Sequence, residues 1–239
     1  MYQNKIKKAL KDGGLKLLIK RGIRLLYRKF KHFLPYSYGE YNGVKAASHN
    51  VLESKIDIRR RKRPDYESGL INGLKNHVKK DDKIVILGGG FGITAVKAAN
   101  FCKPGTVHVF EASKSQLDRI RRTLDINNVN NVELHQAIVG KEVDVWGSAS
   151  GSKIKDPENL PKCDVLEMDI EGAELTVIKN LKIRPRVIIV ETHGKKGSPT
   201  KKVQKSLEKL NYSIVDISLA ENKENFRDND IRVITAIRN

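Results

Sequence analysis

The chain has 239 residues, 46 Lys and Arg against 28 Asp and Glu, and a formal charge of +18 at pH 7. Its 39% apolar and 31% charged residues describe a foldable chain rather than a disordered one. No apolar run approaches the roughly 18 to 20 residues of a bilayer crossing, and the pair Cys102 and Cys163 cannot build a disulfide framework, so a membrane span and a stapled secreted scaffold are both excluded.

The charge is concentrated at the start. Residues 1–34 carry eight Lys and three Arg against the single Asp12, which is +10 of the +18. The first apolar stretch, Leu15 to Ile19, is broken by Lys16 and followed by Lys20 and Arg21 with no small-residue cleavage site, so no signal peptide is expected and a reducing, cytoplasmic setting fits. From Leu15 to Leu34, Leu15, Leu18, Ile19, Ile23, Leu26, Phe30 and Phe33 recur at steps of three and four with Lys and Arg on the other faces. This predicts a cationic amphipathic helix over 15–34. Such a helix suits an anionic lipid surface at the cytoplasmic membrane face, or packing on the chain's own domain or another subunit. The run Arg59-Arg60-Arg61-Lys62-Arg63 follows a Tyr/Gly/Asn-rich connector and stops at Pro64, which divides a leader and linker, 1–64, from a globular domain, 65–239.

Within that domain helix and strand periods alternate. Leu70, Leu74 and Val78 predict a helix, Lys83 to Leu87 a buried strand, Gly88 to Gly92 a tight turn, and Ile93, Val96 and Ala99 a helix ended near Pro104-Gly105. Val107 to Phe110 is a second strand, after which Ser113 and Gln116 form a capping box for a helix on Leu117, Ile120 and Leu124. Strands follow at 132–135, 164–168 and 186–192, with a helix over 172–181, a further helix opened by Ser198-Pro199, and closing strands at 212–217 and 231–237. The fold class is α/β: a doubly wound, Rossmann-like, mostly parallel sheet. The last two strands have no predicted helix between them, so one runs antiparallel.

Ligands of such sheets bind at the carboxyl ends of the strands, first at the turn after the first strand. Glycine there permits positive φ and close approach of a ligand, and Glu111, 19 residues beyond Gly92, stands where an acid accepts bonds from ribose hydroxyls. A dinucleotide fingerprint requires a third glycine where Ile93 stands; Gly88-x-Gly90-x-Gly92 is the methyltransferase variant.

The segment Asp164-Val-Leu-Glu-Met-Asp169-Ile-Glu171-Gly172-Ala-Glu174, followed by Val190-Glu191-Thr192-His193, resembles the FkbM family of S-adenosyl-L-methionine-dependent methyltransferases over roughly residues 66–195. The family's usual acid two positions before the first glycine is replaced by Ile86. The resemblance implies that Gly88, Gly90, Phe91 and Gly92 line the cofactor's methionine and ribose, that Glu111 takes the ribose hydroxyls, and that Ala112, Gln136 and Ala137 meet the adenine. Methyl transfer needs nucleophile and methyl in line at about 3 to 3.5 Å, and a hydroxyl acceptor needs a proton acceptor besides. Asp169, Glu171 and His193 are the expected catalytic residues. Glu174, in the first helical turn, is read as an acid stabilising the helix dipole. Asp169, Glu191 and His193 are also types that ligate a divalent cation, but nothing in their spacing demands one and no metal is expected. The implied acceptor is a hydroxyl of a glycan, glycolipid or related small molecule. The basic run favours a second reading, an RNA-binding protein or RNA methyltransferase on the same fold, opposed by the lack of an aromatic stacking platform and of an Asn-Pro-Pro-Tyr-type motif.

Overall fold

The computed structural model describes residues 36–50, 62–140, 149 and 151–239. The predicted amphipathic helix at 15–34 and Arg59 to Arg61 lie outside the described residues. Tyr38–Ser48 and Arg59–Asn239 belong to one compact unit.

Its centre is an eight-stranded sheet. The strands are β4 (Lys83–Leu87), β5 (Thr106–Glu111), β6 (Val132–Val139), β7 (Lys153–Lys155), β8 (Val165–Met168), β9 (Val187–His193), β10 (Tyr212–Leu219) and β11 (Ile231–Arg238), in the order β10-β11-β9-β8-β4-β5-β6-β7. Neighbours from β9 through β7 pair in parallel, and β11 runs antiparallel to both β9 and β10. The helices are α1 (Ser68–His77), α2 (Ile93–Phe101), α3 (Lys114–Ile126), α4 (Glu174–Asn180), α5 (Thr200–Lys209) and α6 (Glu224–Asp228). Because helices cover both faces, the central strands read as apolar runs without alternation. Ile84, Ile86, Val165, Val187 and Ile189 join one core with Leu70 and Leu74 of α1 and Val96 of α2. Val85, Leu87, Leu166, Met168, Ile188 and Val190 join another with Val177 of α4 and Val203 and Leu207 of α5. The chain leaves β4 in one direction to β5 and later returns to its other side at β8. That switch point opens a crevice at the strands' carboxyl ends.

Three expectations change. The stretch read as a connector holds β1 (Tyr36–Tyr41) and β2 (Val44–Asn50), joined at Asn42-Gly43 with φ of 48° and 74°; β1 also pairs with β3 (Lys62–Arg63). Tyr41, Val44 and Ala46 are buried in the first core, so residues ahead of position 65 complete this unit. The helix α6 intervenes before the last strand, but its five residues are too few to cross the sheet, and the antiparallel pairing stands. Ser113 begins α3 without a side-chain cap, because its Oγ pairs with Ser115 at 2.9 Å and its N–H is given to Glu111. Among the described residues no helix is long and apolar enough to cross a membrane.

Candidate active site

The β4–α2 turn has Gly88, Gly90 and Gly92 at φ of 88°, 50° and 84°. At Gly88 the need is steric as well, since a Cβ there would overlap the carbonyl oxygen of Asp169. The glycine turn is thus pressed against the end of β8, and the Asp169 N–H bonds the Leu87 carbonyl at 2.8 Å.

On the β5 side, the buried Glu111 carboxylate accepts the N–H of Gly89 at 3.1 Å and of Ser113 at 2.8 Å. Burial raises its pKa while these amides pull it back. Each oxygen keeps a lone pair for a ligand hydroxyl. Gln136 lies in register with Glu111, and its side-chain amide donates to Ser152 Oγ at 3.2 Å. The same hydroxyl donates to the carbonyl of Ala112, so Ser152, which the sequence reading passed over, ties the expected adenine-side residues together. Ala137 pairs with Lys153 of β7. Phe91 is buried, stacked on Tyr66 at 5.8 Å and edge-on to Tyr41 at 5.7 Å, so its ring closes the turn against the hairpin.

On the β8–β9 side the turn after Asp169 carries Glu171 at φ 56° and Gly172 at φ 106°, left-handed geometry that is costly for glutamate and recurrent at functional sites. His193 ends β9. Its Nδ1 pairs with Glu174 Oε1 at 2.8 Å, an oxygen that also accepts the Gly172 N–H at 3.0 Å. Glu174 is fully buried, which corrects its reading as a helix-dipole acid: it fixes the imidazole and the tight turn together. Burial works against its charge, but the bond to His193 prevails and its pKa is lowered. From Nε2 of His193, Asp169 Oδ1 is 3.5 Å away, Glu171 Oε2 3.6 Å and Glu191 Oε1 3.7 Å. The three expected catalytic residues are therefore brought together, and Glu191 with them. Burial is the main force raising the Asp169 carboxyl to about 6, opposed by His193, and it also raises Glu191, with Asp169 adding to the effect. Lys196 pairs with Glu171.

Two further acids escaped the sequence reading. Glu167 is fully buried with neither oxygen hydrogen-bonded, in register with Ile86 on one side and Ile189 on the other. Glu67 precedes α1 at φ 51°. A Cβ on Gly90 would stand 3.3 Å from Glu67 Oε1 and 4.0 Å from the Tyr66 hydroxyl, and Glu67 Oε2 is buried without a hydrogen bond. Burial first, then Asp169, lift Glu67 to about 8. Arg63 is held nearby, paired with Glu221 and 4.5 Å from the Tyr66 ring, so this member of the basic run serves the site's wall. The only sequence signal for either acid was position: Glu167 two residues before Asp169, and Glu67 at the start of a helix.

A glycine turn at the switch point, an acid held at the end of β5 and a polar cluster at the ends of β8 and β9 define an S-adenosylmethionine-dependent methyltransferase on a Rossmann-like sheet. The family model of the Methyltransferase FkbM domain matches residues 64–214, and the chain belongs to that family. Among solved structures, a precorrin-6y C5,15-methyltransferase from Geobacter metallireducens is 18% identical, with TM-score 0.51, over 74% of this chain and 89% of its own. A ribosomal protein L11 methylase from Lactobacillus delbrueckii subsp. bulgaricus is 14% identical with TM-score 0.54 over 74% and 79%. The M. jannaschii TYW2 in complex with AdoMet is 14% identical with TM-score 0.50 over 85% of each chain. At these identities the likeness is one of fold. No curated protein matches the chain significantly.

Proposed function

We propose that the enzyme methylates a hydroxyl of a neutral, polyol-type acceptor such as a glycan, a glycolipid or a related small molecule. The observation that carries this reading is the cluster of Asp169, Glu171, Glu191 and His193 beside the glycine turn. Carboxylates accept hydrogen bonds from hydroxyls and can take the proton an alcohol must lose, a contribution of about 10² to 10⁴ in rate. The same carboxylates repel phosphate, which disfavours the RNA reading at the site itself.

The residues present fit S-adenosylmethionine. Gly88 and Gly92 let the turn pack against Asp169 and Ile120, Gly90 keeps the space beside Glu67 free of a side chain, Glu111 offers lone pairs toward ribose hydroxyls, and Gln136, Ala137 and Ala112 border the adenine side. Glu67, beside Gly90 with an orphaned oxygen, supplies the carboxylate that Ile86 lacks and takes the methionine ammonium. When bound, the cofactor supplies a methyl on a sulfonium whose C–S bonding pair leaves with sulfur. Asp169 and Glu171 orient the acceptor O–H, and with His193 they provide the sink for its proton.

Calorimetry with adenosylmethionine and adenosylhomocysteine tests the first half, since a parent chain that binds neither sinks the proposal. Transfer of labelled methyl to saccharide and glycolipid fractions in preference to RNA tests the second. The leader at 15–34, with its apolar stripe and Lys/Arg faces, we assign to an anionic lipid surface on the cytoplasmic side. Full-length protein should float with anionic but not neutral liposomes, and changing Lys16, Lys20 and Arg24 to Glu should abolish this; equal flotation would reject the assignment.

A further inference from the structure

We infer that Asp169, Glu191 and His193, with Glu171 beside them, form a binding site for one divalent cation of the Mn2+ or Mg2+ class. The argument starts from the imidazole. Glu174 accepts from Nδ1 at 2.8 Å, which places a proton on Nδ1 and turns Nε2 toward the carboxylates, where either a second proton or a metal ion can stand. Nε2 lies 3.5, 3.6 and 3.7 Å from oxygens of Asp169, Glu171 and Glu191. Ligand atoms of Asp169, Glu191 and His193 all lie within 4.8 Å of one another, and the separations from Nε2 are too long for good hydrogen bonds. Bonds of about 2.0 to 2.2 Å to a common ion place its ligands about 3.0 to 3.5 Å apart, so a small inward movement completes the shell.

A second set of observations points the same way. The Glu191 side chain is 9% exposed and that of His193 6%. Asp169 Oδ1 is a buried atom without a hydrogen-bond partner although it faces Nε2. Glu167, one pleat behind Asp169 on the same strand face, leaves both oxygens unpaired in full burial. Buried carboxylates normally find a donor or an ion, and among the described residues Lys196, the lysine paired at this cluster, is committed to Glu171. The carboxylate–histidine arrangement of Glu174 and His193 is what orients an imidazole toward a metal. Asp169 and Glu171 are 28% and 23% exposed, which leaves an open side for an acceptor oxygen. Oxygen-rich donors with one imidazole select a hard ion, with Mn2+ favoured over Mg2+ by the nitrogen. Bound there, the ion would occupy Nε2 of His193 and so take that residue out of proton transfer, hold the acceptor oxygen and ease loss of its proton to a carboxylate; this role, though not the site, rests on the hydroxyl-acceptor reading.

The test uses full-length, chelator-stripped protein titrated with Mn2+ by calorimetry and electron paramagnetic resonance. One ion per chain is expected, weakened at least about tenfold by Asp169→Asn and by Glu191→Gln. Glu133→Gln, in the separate His108, Glu133 and His135 group, should leave it unchanged. Binding that is substoichiometric, indifferent to the first two substitutions or lost in Glu133→Gln overturns the site. Should those variants misfold, the parent's Mn2+ spectrum decides alone: it should carry nitrogen modulation from a single imidazole, and a spectrum without it rejects His193 as a ligand. Adenosylhomocysteine binding on the same sample reports separately on the cofactor reading, so loss of one result does not imply loss of the other.

Discussion

The two sides of the glycine turn treat their carboxylates in opposite ways. On the β5 side Glu111 has two backbone amides within hydrogen-bonding distance and sits as part of a finished frame. On the other side Asp169 and Glu167 at the end of β8 and Glu67 ahead of α1 each keep a buried oxygen without a hydrogen bond, and Glu191 Oε1 faces His193 Nε2 at 3.7 Å. A carboxylate satisfied by the backbone recognises a ligand by shape and lone-pair direction at little cost in reorganisation. A group of unsatisfied ones is pushed by burial toward holding protons, which a cationic partner would displace. On the proposed function, this difference would divide recognition of the cofactor's neutral nucleoside from handling of positive charge and protons.

The change that breaks both sides at once should have the largest effect. Gly88 touches Asp169 across the crevice and lies at φ 88°. Gly88→Ala combines a left-handed alanine with a backbone collision, for a cost of about 2 to 4 kcal/mol, and thermal unfolding should fall by about 5 to 15 °C. Cofactor binding should be lost with it. A variant that keeps full affinity would show that the two sides are not mechanically joined at this point.

Next comes a change confined to the finished side. Glu111→Ala removes a charged acceptor and strands two buried N–H groups. Affinity for adenosylhomocysteine should fall about 10- to 100-fold by calorimetry, while Mn2+ binding stays at the parent value. Equal losses of both ligands would erase the division between the sides.

The legibility of the chain follows the same split. Strands β4, β5, β8 and β9 and helices α1 to α5 were visible because each buries a periodic face, and the glycine turn, Glu111, Asp169, Glu171 and His193 were visible because they stand at predictable ends of those elements. The β1–β2 hairpin was passed over as a connector although Asn42-Gly43 is a strong two-residue hairpin signal, because small residues, Gly39, Ala46 and Ala47, stand at its buried positions and weaken the alternation. The three-residue β7 has no periodicity to detect. Glu174 was misread because its partner, His193, lies 19 residues away on another strand, and the dipole argument accounts for an acid at a helix start without any partner. Glu67 and Glu167 look like ordinary surface glutamates until the sheet closes around them.

On the unsatisfied side, pH gives a sharper test than truncation. Burial raises Glu67 to about 8 in the folded chain from an ordinary 4.5. An acid with a raised folded pKa holds its proton in the native state after the unfolded chain has released it. Its contribution to stability is therefore greatest below about 4.5 and declines as pH rises toward 8. Cofactor binding should run the other way: an ammonium needs the ionised carboxylate, so affinity should climb by up to about tenfold per pH unit between 6 and 8. Glu67→Gln should flatten both slopes. A parallel rise in the variant would assign the dependence to another group.

The most discriminating change concerns how His193 is held, and its glutamine form carries the smallest effect. Glu174 Oε1 accepts both the imidazole and the Gly172 N–H, whereas Oε2 is buried without a hydrogen bond. A glutamine can present its carbonyl oxygen at the Oε1 position and keep both bonds, while alanine strands two buried donors at about 1 to 3 kcal/mol each. Glu174→Ala should therefore unfold earlier and lose methyl transfer, whereas Glu174→Gln should fold within about 1 kcal/mol of the parent. The glutamine variant lacks the negative charge that strengthens the imidazole as a base or ligand. Its turnover should drop several-fold with little change in cofactor affinity. Equal turnover in parent and glutamine variant would mean that Glu174 serves as a structural acceptor alone, and the reactive side would then owe its basicity to Asp169, Glu171 and Glu191.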